Sequence, residues 1–488
     1  MTQSFRSHPA WPGETPSSSA PLRPGDLAAP HILAPEWLLL RQGAVRGHAV
    51  VVEDGCFTAV GRVADIEARY PALQTRPLPR TLLMPGMIDT HHHLTQSFGK
   101  SLVFGEPSEI FRRIWVPLEG SLKAEHLYLS SKLAALEALR GGFTTVVDAG
   151  TRSDAGLDAI ARAVSDAGIR CVLGLICNDR PGADTLDAGP ILRRAAAHLG
   201  QYETNRLVTP SLAISIPEVA SDAMLQHVYR MCAEAGRVFQ THANEHLVAV
   251  ERSLNVCGAR PIEHLAAIGA LGPAALLAHA TLVTPREIRL LADTGTAVAY
   301  NPVASAWKGN AVAPAETMAT FGVRLGLGTD GTRSDGFRLL DYAEAAQRFA
   351  FGIGVGDSSC GAGWRWVDMA THGAAAVAGL GALTGEIAQG KRADFLLVDL
   401  DVPELAPSWD LTWELVRLAN RDQIRAVVVD GQLRLWDGWP VDWDARALLR
   451  DIRAMADDTI AGAPIRKLHE AADLHRARHA RAGTGARA

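Results

Sequence analysis

Cysteine is scarce and nothing in the chain pairs it. Cys56, Cys171, Cys177, Cys232, Cys257 and Cys360 are the only six in 488 residues, and none forms a Cys-x-x-Cys pair. That argues against a disulfide framework and fits a reducing cytoplasm. Cys171 sits in the apolar run Ile169-Arg170-Cys171-Val172-Leu173, the setting of a core residue rather than a nucleophile. An excess of basic charge is also missing: 48 Lys and Arg against 53 Asp and Glu leave a net charge of -5. The polyanion-binding signature is absent, which removes nucleic acid from the expected partners. No uninterrupted apolar run is long enough to span a membrane, so none is expected to be a partner. Residues 1–30 are rich in Pro, Ser and Ala without an apolar signal-peptide core, and read as a disordered leader.

What is present is the composition of a soluble globular chain, with 48% apolar and 21% charged residues. Its length suits a barrel-sized domain plus a smaller one. Residues 31–83 read as short strands, including an Asp54-Gly55 turn between Ala49-Val50-Val51-Val52 and Phe57-Thr58-Ala59-Val60. The same texture returns at Phe395-Leu396-Leu397-Val398 and Ala426-Val427-Val428-Val429. The expectation is a small β-sandwich domain built from both ends of the chain, residues 31–83 plus 383–445. Between them, apolar strands at Phe143–Ala149, Ile169–Cys177, Leu207–Ser215, Val238–His242, Ala275–His279, Ala297–Pro302 and Arg324–Thr329 alternate with helical patterns such as Ala124–Arg140 and Ser221–Ala235. Counting the strand that ends at His91, this predicts a (β/α)8 barrel over residues 84–382. Residues 446–488 read as a solvated helical tail with a frayed end, including His469, His475 and His479.

In such a barrel, chemistry sits where the strands end. The first ends in Asp89-Thr90-His91-His92-His93. Alternation puts His91 and His93 on one face, a grip for a metal ion, and His92 on the other. A His-rich loop is the plainer alternative for that run alone. The fifth strand ends in His242, followed by Glu245; the sixth ends in His279; the eighth ends in Asp330.

Taken together, Pro85-Gly86-Met87-Ile88-Asp89-Thr90-His91-His92-His93, His242-Ala243-Asn244-Glu245, His279, Gly326-Leu327-Gly328-Thr329-Asp330-Gly331 and Gly385-Glu386 to Asp394-Phe395 resemble the amidohydrolase superfamily, in its branch of chlorohydrolases and aminoheterocycle deaminases. The resemblance implies that His91, His93, His242 and Asp330 bind one divalent metal, zinc first and iron(II) second. It also implies that Asp330 takes a proton from water activated by the metal, that His279 holds the resulting hydroxide, and that Glu245 protonates a substrate ring nitrogen. Binuclear relatives add a lysine at the end of strand four; Leu207 to Ser215 contains none, so a single-metal site is expected. The implied reaction is attack at an amidine-like carbon of a small nitrogen heterocycle (aminopurine, pterin, pyrimidine or triazine) with release of ammonia. The alternatives are loss of chloride or an alkylamine, or amide hydrolysis, at the same site. A non-catalytic scaffold barrel ranks low because every expected ligand is kept, and Gly354-Val355-Gly356 lacks the context of a phosphate loop. A homo-oligomer is implied by the resemblance alone.

The chain departs from the family pattern after strand four. Ile214-Ser215-Ile216-Pro217-Glu218-Val219 lacks the histidine that many nucleoside deaminases use there. This weakens the reading as a methylthioadenosine or S-adenosylhomocysteine deaminase. Gln96 is a candidate to hydrogen-bond a substrate edge, with an ordinary loop amide the equal alternative. Trp115 and Trp307 are candidates to stack on a planar ring, with packing the plainer reading. Arg112, Arg113 and Lys308 could meet an anionic substrate group, with solvated surface charge the plainer reading.

Overall fold

The computed structural model describes residues 22–106, 109–182, 184–356, 362–469, 474 and 476–478. The chain first forms five strands, β1 (His31–Leu40), β2 (Gly43–Val45), β3 (His48–Glu53), β4 (Cys56–Arg62) and β5 (Thr75–Pro85). Alternation along them supplies two apolar faces. Leu33, Val50, Val52 and Phe57 pack into one cluster, and Ile32, Ala49, Val51 and Ala59 into another.

A single residue, Gly86, carries β5 into the barrel. A Cβ there would lie 2.2 Å from the Thr144 side chain, so the close approach of the two strands requires glycine. Eight strands follow: β6 (Met87–His92), β7 (Phe143–Asp148), β8 (Arg170–Ile176), β9 (Val208–Ile214), β10 (Phe239–Ala243), β11 (Ala275–His279), β12 (Ala297–Tyr300) and β13 (Arg324–Leu327). Each pairs in parallel with the next. A parallel bridge between His92 and Asp330 brings the last strand back to the first. Helices such as Ala124–Arg140, Asp158–Ala167 and Asp222–Glu234 lie between the strands. β7 is buried at every position, as a strand covered on both faces must be. Inside the barrel, Ile88, Val147, Val172, Leu276 and Ala299 meet Ala374, Ala375 and Val377 from the helix His372–Val377, which plugs the end remote from the histidines.

The chain then returns to the first sheet with β14 (Phe395–Asp399), β15 (Ile424–Val429), β16 (Gln432–Trp436) and β17 (Trp439–Pro440), completing nine mixed strands in which β14 pairs with β5. The two bodies are bolted by Arg170. Its side chain is 1% exposed and donates to both carboxylate oxygens of Asp394, at 3.0 and 3.1 Å, and to the Arg206 carbonyl at 2.6 Å. Asp394 also accepts from Thr384 Oγ1 at 2.9 Å and the Asp430 amide at 2.6 Å.

Both ends differ from expectation. Residues 1–21 of the expected leader lie outside the described residues, but Pro24–Leu27 forms a 3-10 turn, with Leu27 buried in the sheet's apolar cluster and Asp26 paired with Arg76 at 2.7 Å. At the other end, the helix Ala445–Gly462 buries Leu448 and Ile452 in the main core instead of standing in solvent. An apolar stripe along its inner face accounts for the docking. Cys360, His475 and His479 lie outside the described residues; Cys171, Cys177 and Cys232 are buried.

Candidate metal centre and substrate cleft

Four histidines and two carboxylates converge at the C-terminal ends of β6, β10, β11 and β13. One ring nitrogen or carboxylate oxygen from each of His91, His93 and Asp330 lies within 4.8 Å of the others, as do those of His91, His242 and His279, and of Glu245, His279 and Asp330. His93 Nε2 is 3.2 Å from His242 Nε2 and 3.4 Å from Asp330 Oδ1, and His91 Nε2 is 3.9 Å from the same oxygen.

The strand ends are bent to achieve this. Asn244, His279, Ala280 and Asp330 have φ of 54°, 77°, 47° and 57°. Positive φ is tolerated by Asn and Asp but costs on the order of 1–3 kcal/mol at residues such as His279 and Ala280. Gly328 lets the eighth strand pass close beneath, since a Cβ there would sit 2.2 Å from Asn301 Oδ1 and 2.9 Å from the His91 Cβ.

Supporting groups fix each ring. The His242 Nδ1–H donates to the Ser215 carbonyl at 2.7 Å, which leaves Nε2 with its lone pair toward the cluster. The Asn301 amide donates to His279 Nδ1 at 3.2 Å, so the proton of that ring sits on Nε2, 3.7 Å from Glu245 Oε2 and 3.8 Å from Asp330 Oδ2. Asp89 accepts the His91 amide at 3.2 Å, the Thr329 amide at 3.0 Å and the Thr329 hydroxyl, tying β6 to β13. His92 faces away from the cluster, as alternation requires. It is buried rather than a mere spacer, with Nδ1 2.9 Å from Thr329 Oγ1 and 3.2 Å from Asp89 Oδ2.

The electrostatics suit a cation. Burial and the neighbouring imidazoles push His91 well below its ordinary pKa, and burial followed by His279 takes His242 down to about 4. Neutral imidazoles are the metal-binding form. Burial alone would raise the carboxyls of Glu245 and Asp330. For Glu245 the facing His279 and Lys308, and for Asp330 Lys308, His279 and His93, outweigh it, and both carboxyls lie below their usual range. His91 Nε2 and His279 Nε2 are buried without a hydrogen-bond partner. The lone pair of His91 Nε2, beside the ionised Asp330 and near the Nε2 atoms of His93 and His242, belongs to the donor set a divalent ion of the zinc or iron(II) type accepts, whereas His279 Nε2 carries its proton and acts as a hydrogen-bond donor.

Lys308 corrects the sequence reading. It is no surface charge: its ammonium bridges Asp330 Oδ2 at 2.5 Å and Glu245 Oε1 at 2.8 Å, and Asn310 Nδ2 adds 3.3 Å to the same Glu245 oxygen. Its place at the end of the helix Pro302–Lys308, directly after a barrel strand, was the available signal. Arg113 is likewise covered, against Glu106 at 2.9 Å, whereas Arg112 stays exposed. Glu119, Arg152 and Asn301 were not singled out at all. Glu119 is fully buried and accepts from Thr95 Oγ1 at 2.8 Å, Gln96 Nε2 at 3.3 Å and Arg152 Nη1 at 2.5 Å. Arg152 also reaches Ser215 Oγ at 3.3 Å, and its guanidinium lies 4.4 Å over the Phe111 ring.

His93, His242, Glu245, Lys308, Asp330, Arg152 and Ser215 open into one cleft. Gln96, Trp115 and Trp307 line it too. Trp115 is almost wholly buried, and Trp307 stands edge-on to Phe104 at 5.1 Å.

Comparison with known proteins agrees with this fold. The model of the amidohydrolase family matches residues 82–434. A 5-methylthioadenosine/S-adenosylhomocysteine deaminase of Syntrophobacter fumaroxidans is 27% identical over 416 residues, covering 84% of this chain and 92% of its own. Among solved structures, an adenosine deaminase from Xanthomonas campestris with bound zinc superposes with a TM-score of 0.80 at 24% identity, covering 88% of this chain and 98% of that one. An atrazine chlorohydrolase from Arthrobacter aurescens TC1 complexed with zinc gives 0.77 at 21%, covering 87% and 99%.

Proposed function

Because this chain belongs to the amidohydrolase family and is a hydrolase acting on C–N bonds, we propose that it deaminates an aminopurine borne on a larger group, an adenine nucleoside being the leading case. The placement of Glu245 carries the reading: it stands in the cleft beside His279 and Lys308, three residues beyond His242. A carboxyl so placed serves a substrate with a protonatable ring nitrogen next to the attacked carbon. The deaminase relative supports the same class. Where nucleoside deaminases of the branch carry a histidine, Ser215 and the Arg152 guanidinium behind it offer polar contacts instead.

His91, His93, His242 and Asp330 would hold one divalent ion, zinc by analogy with the similar adenosine deaminase fold. Such an ion supplies Lewis acidity, which lowers the pKa of water to roughly 7. Asp330 receives the proton of the attacking water. His279 Nε2–H, aimed between the two carboxylates, orients that water toward the ring carbon. Glu245, ionised at rest, takes the water's other proton and passes it to the adjacent ring nitrogen, and the proton held by Asp330 goes to the amino group, which leaves as ammonia. One water enters and one ammonia departs. Lys308 holds the two carboxylates at fixed spacing and balances their charge.

Ammonia release from adenosine, 5'-methylthioadenosine, aminopterins, cytosine and aminotriazines is the test. Release from the adenine nucleosides is expected. Cleavage of chlorinated or amide analogues without ammonia release from any amino compound would replace deamination with its rival.

A further inference from the structure

One wall of the cleft is held by the far end of the chain. Val103 to Glu106 and Glu109 to Trp115 supply much of the lining, yet their only regular element is the single π-turn Phe111–Trp115, apart from the residue that ends the preceding 3-10 segment. The Glu106 side chain, which lines the cleft, is fully buried. Its carboxylate accepts from Arg113 Nη1 at 2.9 Å, from the Leu468 amide at 2.9 Å and from the His469 amide at 3.3 Å, with Lys467 Nζ at 3.9 Å. Arg113 is tied to the same segment: its carbonyl accepts the Arg466 amide at 2.9 Å, and its Nη1 donates to the Arg466 carbonyl at 2.9 Å. Ile465 packs against the main apolar core. A buried carboxylate is tolerated only while its hydrogen bonds are made. Without residues 465–469, Glu106 would lose both backbone donors.

We propose that residues 465–469 form a strap that sets the shape of the substrate cleft, with Glu106 as the positioning residue through which it acts. The proposal rests on the reading of this cleft as the substrate site. The line of contact runs inward from the held wall: Phe111 covers Arg152, Arg152 reaches Ser215, and the Ser215 carbonyl orients His242. The strap bears directly on the wall that seats substrate and reaches His242 only through Phe111, Arg152 and Ser215, so its main effect is on how substrate is seated.

Two variants of the full chain test this: Glu106→Gln, which sets an amide against the two backbone N–H groups, and Leu468→Pro, which removes one of those N–H groups. Hydrogen exchange of peptides covering residues 103–115 is read beside KM and kcat for 5'-methylthioadenosine. Faster exchange in both variants is expected, with KM raised about tenfold and kcat held within about threefold. Unchanged exchange in both variants, or faster exchange with unchanged KM, would overturn the proposal. If the wild type releases no ammonia from any heterocycle, the deaminase reading falls, while the exchange data alone still decide whether the strap holds the wall.

Discussion

Two buried ionic clusters in this molecule are built to opposite specifications. At the seam between barrel and mixed sheet, Arg170 meets Asp394 and the Arg206 carbonyl, while Thr384 and the Asp430 amide satisfy the rest of Asp394. At the other end of the barrel, His91 Nε2 and His279 Nε2 are buried and unpartnered, and the backbone around His279 is strained. A closed cluster serves to join two bodies. A cluster left open, at a cost in stability, is fitted to take something else in. The same kinds of residue do both, and the difference lies in what is left over: in the seam a carboxylate oxygen, Asp430 Oδ1, that faces Arg392 at 3.4 Å, and in the open cluster ring nitrogens of His91 and His279.

The largest effect that would break this contrast belongs to the open cluster. Glu245→Gln should lower kcat on the order of 10²–10⁴-fold while leaving bound metal and the unfolding midpoint unchanged. Steady-state kinetics, metal analysis and denaturant titration check it, and unchanged turnover would remove Glu245 from proton transfer. Asp394→Ala should do the reverse. It strands Arg170 in the seam and should cost about 3–5 kcal/mol of stability, measured by urea unfolding, with little change in turnover of the folded fraction. Equal losses of activity and stability in both variants would erase the distinction. The smallest effect sharpens it: Asp89 is a fully paired carboxylate that serves the open cluster by holding the His91 and Thr329 amides. Asp89→Ala should weaken metal binding about 10–100-fold, read by competition with a chromogenic chelator.

The barrel was legible because buried parallel strands write themselves as continuous apolar runs. The run Ala275–His279 was expected and is β11 to the residue, and Phe143–Ala149 differs from β7 by one residue. The polar residues closing those runs point to His91, His93, His242, Glu245, His279 and Asp330 as a set: a lone histidine after an apolar strand is usually structural, but four with two carboxylates at strand ends are hard to place in a core. Lys308 is not legible because a single lysine closing a short helix carries no periodicity, and only the fold brings it between Glu245 and Asp330. Glu119 and Arg152 lie 33 residues apart in sequence, and Glu106 lies 362 from Leu468. No local pattern announces such pairs. The C-terminal segment reads as helical in the sequence, but its docking does not, because an apolar stripe tells that a helix is covered and not what covers it.

The central claim is that one divalent ion, held by His91, His93, His242 and Asp330, is what the open cluster is built for. Metal-free protein titrated with zinc, with ammonia release from 5'-methylthioadenosine followed at each addition, tests it most directly. Activity should rise linearly and saturate at about one equivalent per chain. Saturation only at two equivalents, or full turnover by protein stripped of metal, would contradict it.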